Sequence, residues 1–112
     1  MRTFFAILVA GVTVAGALSA AAAEQPLGLC VRGQLALLAH RKDSADIYFG
    51  RALKMTKEKD PVVLLAVAHA HQGADSGNAL YAVELLNKAI KRDKHNPELY
   101  VELGDVYRRL AD

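Results

Sequence analysis

The chain is poor in cysteine, in β-branched runs and in any excess of one charge sign. Its single cysteine, Cys30, excludes an intramolecular disulfide framework and a cysteine-based zinc site. In an oxidising compartment a lone thiol must be buried, paired between chains or reactive, and the apolar neighbours Leu29 and Val31 favour burial. Fourteen basic and 12 acidic residues leave a formal charge of +2, which gives no electrostatic reason to expect nucleic acid. Sustained alternation of apolar and polar residues is missing, so no strand is predicted. A glycine-rich phosphate loop, a nucleophile elbow and a zinc-hydrolase helix motif are all missing. Nucleophilic chemistry at Cys30 would need a base and an orienting group, and nothing in the spacing nominates either. An enzyme is not expected, nor a cofactor. His69 and His71 are two residues apart, so on a helix they point to different sides and cannot share a metal ion.

Charge is also missing from Thr3 to Ala23, which follows the single Arg2. The stretch is apolar from Phe4 to Leu18 and ends in Ala20-Ala21-Ala22-Ala23. That is the layout of a secretory signal with small residues at the peptidase site. Residues 1–23 are expected to be removed and 24–112 to form the mature domain. Uncleaved, the stretch is long enough to span a bilayer, and a membrane role is expected only in that case. All acidic residues and all basic ones except Arg2 lie beyond Ala23, so the mature part is nearly neutral.

Helix punctuation is frequent in that part. Asp60-Pro61 and Asn96-Pro97 each set a capping side chain before a proline at the first helical position. Asp43-Ser44 and Asp75-Ser76 are further start signals, and Gly73 and Gly77 bracket a turn. Lys54, Lys57 and Lys59 form one basic group; Lys88, Lys91, Arg92 and Lys94 form another. Both stand where helices should end and read as solvated ends complementing the helix dipole. Five helices are predicted: about Pro26–Ala39, Ser44–Lys57, Pro61–Gln72, Ser76–Arg92 and Pro97–Leu110. Short connections make neighbours antiparallel.

The helices repeat. Gly33, Ala45, Phe49, Ala52 and Leu53 match Ala70, Ala82, Leu86, Ala89 and Ile90 at a constant offset of 37, and Ala70 matches Gly104 at 34. The connection Lys54–Pro61 is longer than its counterpart Lys91–Pro97 and takes up part of the difference. With its 34-residue period, this pattern resembles the tetratricopeptide repeat, a helix–turn–helix unit. The best stretch is Asn96 to Tyr107, with Tyr100, then Leu103-Gly104, then Tyr107. His69, Gly73 and Lys94 depart from the family pattern.

The resemblance implies an all-α short solenoid of about two and a half units, near 26–60, 61–96 and a partial 97–112. Small residues at Gly33, Ala45, Ala52, Ala70, Ala82, Ala89 and Gly104 would let helices approach. Phe49, Leu86, Tyr100, Leu103 and Tyr107 would fill the spaces between them. Either the fifth helix would be a terminal cap, or the chain would be the front part of a longer array. A concave groove would hold a protein or peptide. It would be lined by Cys30 and Gln34, then Leu64, Val67 and His71, then Val101, Asp105, Arg108 and Arg109. Val67 and Val101 stand where some members grip a terminal carboxylate, so carboxylate clamping is not expected. The implied role is an exported bacterial scaffold or adaptor, periplasmic or secreted. A self-associating structural segment and the N-terminal docking part of a larger envelope protein are the alternatives.

Overall fold

In a computed structural model of the chain, residues 19–72 and 76–112 are described, apart from the side chains of Ser76 and Gly77. The expected signal segment up to Leu18, and Gly73, lie outside them. The described residues are helical, with no strand among them. Six helices follow in order: α1 Ala20–Ala23, α2 Pro26–Leu38, α3 Lys42–Met55, α4 Pro61–Gln72, α5 Ser76–Arg92 and α6 Pro97–Ala111. The chain divides into two compact units, Met1–Ala52 and Leu53–Asp112.

In the first unit, Ser19 starts α1 by accepting the Ala22 N–H at 3.1 Å. The Leu29 N–H reaches Gln25 O at 2.8 Å, and Pro26 opens α2 with nothing to donate. Gly33 on α2 is buried, and the Phe49 ring of α3 lies against it so closely that a Cβ there would overlap ring carbons. Arg32 stacks over the Tyr48 ring at 4.4 Å from its centroid and donates to its hydroxyl at 3.1 Å. Glu24 bridges both helices, bonding Arg32 at 2.7 Å and Arg51 as well. Those bonds hold the Glu24 carboxyl below its ordinary range, the Arg51 hydrogen bond being the main cause. The Tyr48 hydroxyl, with Glu24 adding, raises Arg32 further above its already high value.

Helix α3 begins two residues before the expected Ser44 and stops at Met55 rather than Lys57. The reason is how α2 and α3 end. His40 takes φ 60°, its N–H reaching Leu37 O at 3.0 Å and the Arg41 N–H reaching Ala36 O at 2.8 Å. Lys57 repeats the motif at φ 55°, its N–H reaching Lys54 O at 3.1 Å and the Glu58 N–H reaching Leu53 O at 2.9 Å. Both are Schellman ends with a side chain where glycine is favoured.

In the second unit, Asp60 and Asn96 cap as their sequence predicts. Each side chain accepts a backbone N–H at 3.0 Å, from Val62 and Glu98 respectively. Gly77 stands inside α5 instead of bracketing a turn. Helices α4 and α5 pack closely across a short connection, so they run antiparallel, and α6 packs on α5. The interior holds Val63, Leu64, Val67 and Ala68 of α4, Ala82, Leu85, Leu86 and Ala89 of α5, and Leu99 and Val106 of α6. Ala45, Phe49 and Ala52 are likewise buried, while Ala70 and Leu103 are half-buried. Two expected space-fillers and one expected close-approach residue are not. Tyr100 and Tyr107 are 49% and 51% exposed, and a Cβ at Gly104 would meet nothing within 4 Å. Leu99 and Val106 point inward from α6, so residues on its far side have no helix over them among the described residues.

Candidate functional site

The groove expected from the resemblance draws on both units, and its residues divide sharply by exposure. In the first unit Cys30 is buried and Gln34 half-buried. In the second, Leu64 and Val67 are fully buried, so neither offers surface to a partner. Helix α4 is apolar around most of its circumference, and such a helix is covered on several sides. His71 is half-buried. Its Nδ1–H donates to Val67 O at 2.8 Å, and its ring meets Tyr81 of α5 edge-on, centroids 5.2 Å apart. His69, two residues away on the other side of α4, is exposed.

Helix α6 keeps the open part. Val101, Asp105 and Arg108 recur four and three residues apart and so share a side. Val101 is 63% exposed, and Arg108 donates to Asp105 at 2.9 Å. Tyr100, Gly104 and Tyr107 form the neighbouring line. The two lines make one exposed face carrying two phenols, a valine and a guanidinium. Between the tyrosines, Gly104 leaves a shallow notch. The Tyr100 hydroxyl donates to Lys94 O at 2.7 Å, which ties the end of its side chain to the α5–α6 connection.

Arg109 turns the other way, donating through Nε to Gln72 Oε1 at 3.1 Å. Gln72 is a polar side chain only 8% exposed, and its Nε2 donates to Glu102 of α6. Glu102 also accepts from His69 Nδ1 at 2.8 Å; a carboxylate can only accept, so Nδ1 carries the proton. This network fastens the C-terminal turn of α4 to the middle of α6 and satisfies both ends of a buried amide. Gln72 and Glu102 were not among the expected site residues. Their one signal was His69 and Gln72 three residues apart on one helix side.

No group of three or more metal-ligating side chains gathers among the described residues. No described helix is long and apolar enough to cross a membrane. Comparison with protein-family models, with curated proteins and with solved structures finds no match to the chain.

Proposed function

We propose that the chain is an exported protein-binding module built on the tetratricopeptide plan, acting as a scaffold or adaptor by equilibrium binding without chemistry. Its working surface in this reading is the exposed face of α6, and the partner is a protein or peptide. The observation that carries the reading is the pair of adjacent lines, Val101–Asp105–Arg108 and Tyr100–Gly104–Tyr107. Exposed apolar surface rimmed by charge marks interaction sites, and tyrosine and arginine are the side chains that concentrate binding energy. The repeat at offsets of 37 and 34 supports the plan, since repeats in such arrays bind along one face. The uncharged leader supports export to the periplasm or medium.

The test is photo-crosslinking in the producing cell from position 101, with Asn87 on α5 as the control position. A discrete adduct from position 101, absent from position 87 and lost on Tyr107→Glu, supports the adaptor reading. An adduct of twice the chain's own mass supports the self-associating alternative. Equal labelling from both positions removes the α6 face as a binding surface.

A further inference from the structure

The two basic groups that read as separate helix ends in the sequence meet in the second unit. Lys57, Glu58 and Lys59 follow α3; Lys88, Lys91 and Arg92 lie along the last turns of α5. Together they line an open-sided pocket of about 360 Å³. That volume lies at the lower end of the range for small-ligand sites.

The charges in the pocket are not balanced. Glu58 is its one carboxylate, and Lys88 holds it at 2.5 Å. Lys88 also lies 3.5 Å from Glu84, and Glu58 as first cause and Glu84 next raise it above its ordinary value. The acid and that lysine therefore neutralise each other. Lys57, Lys59, Lys91 and Arg92 have no carboxylate partner among the described residues. Asp93, next to Arg92, accepts instead from the Asn96 amide at 3.1 Å. Helix ends account for part of the positive charge. Two C-termini, of α3 and α5, supply roughly half a negative charge each, well short of four unmatched cations.

We propose that this pocket binds a phosphate-bearing anion of two or more charges. Compactness favours phosphate over the carboxylates of an acidic peptide, which are spaced along an extended chain. A phosphate group can meet several of these cations at once, with Arg92 offering a two-pronged donor and the lysines point charges. The site is separate from the α6 face and does not rest on its role.

The experiment is calorimetric titration of the full chain with tripolyphosphate at fixed ionic strength. Two variants of equal charge loss are compared: Lys91→Gln with Arg92→Gln, and Arg41→Gln with Lys42→Gln in the first unit. Helicity of each is checked by dichroism. The pocket variant should weaken binding about tenfold or more, and the control less than about twofold. Co-sedimentation with vesicles containing cardiolipin, whose headgroup carries two phosphates, read against phosphatidylcholine, separates a lipid headgroup from a free anion as the source. Vesicle binding lost in the pocket variant supports the site with a lipid source. Tripolyphosphate binding without vesicle binding supports it with a soluble one. The proposal is overturned if neither phosphate source binds, if both variants weaken binding equally, or if a polyglutamate peptide outcompetes tripolyphosphate.

Discussion

A methyl group at Gly33 would occupy space already held by the Phe49 ring. Both residues are buried, so the ring has little room to withdraw. In an open helix the change to alanine would stabilise, since glycine costs a helix interior about 1 kcal/mol. Overpacking opposes that gain at roughly 1–3 kcal/mol. Gly33→Ala should therefore lower stability by up to about 2 kcal/mol, the overpacking outweighing the propensity. Adding Phe49→Leu should restore part of the loss, and urea unfolding of the four-member cycle measures the coupling. Additive losses would show that the ring is not the obstacle. At this scale the sequence was informative where one residue type has one use. Asp60 and Asn96 before proline cap as expected. It was silent where a residue stands in for another: His40 and Lys57 end helices in the left-handed region with no glycine to announce it. That is why α3 lies two residues earlier than its start signal Asp43-Ser44 suggests.

Between elements, the links that matter are polar ties across helix pairs. Gln72 is buried with its amide divided between Glu102 and Arg109. Glu102→Ala would leave the Gln72 nitrogen and the His69 proton without their shared acceptor. An unsatisfied buried donor costs about 1–3 kcal/mol, so the second unit should lose about that much. Gln72→Leu with Glu102→Ala should recover much of it, because the buried donor is then gone; denaturant midpoints decide. Glu24 makes the corresponding tie in the first unit, between α2 and α3. Its carboxyl is held below the ordinary value of 4.5, so the unfolded chain takes up a proton first as pH falls. The contribution is complete above that value and disappears as pH drops through the lower folded one. Wild type should exceed Glu24→Gln in urea midpoint at neutral pH, and the gap should close as pH falls below 4.5. A gap that stays constant across the acid range would mean that Glu24 acts by packing alone. Neither tie was legible in the sequence, because Glu24 and Arg51, or Gln72 and Glu102, are brought together only by helix pairing. The proposed binding face was only partly legible for the same reason. Periodicity places Val67 and Val101 at matching points of the repeat, yet one is core and the other open. Which side of a helix stays open depends on what covers it, and a run as apolar as Val62–Ala68 does not say.

For the molecule as a whole, the decisive question is where its working form starts. Helix α1 is four alanines, and its Ala22 carbonyl lies directly over buried Gly28 of α2. The three atoms nearest a Cβ built at Gly28 all belong to Ala22 and Ala23. Glycine at position 28 is therefore required by residues on the far side of the expected cleavage point. If processing follows Ala23, that requirement ends with processing, while Glu24 stays to bridge Arg32 and Arg51. Gly28→Ala then has opposite effects on two forms of one chain. In a protein starting at Glu24 it should stabilise by up to about 1 kcal/mol through helix propensity. With Ala20–Ala23 retained it should destabilise, because the Ala22 carbonyl must move. The thermal midpoint of each form, with intact mass defining its first residue, tests this directly. If the chain is exported as proposed, it should begin at Glu24 and tolerate the alanine. A retained leader with a destabilised Gly28→Ala variant would make the protein membrane-anchored, with α1 a working part of its first unit.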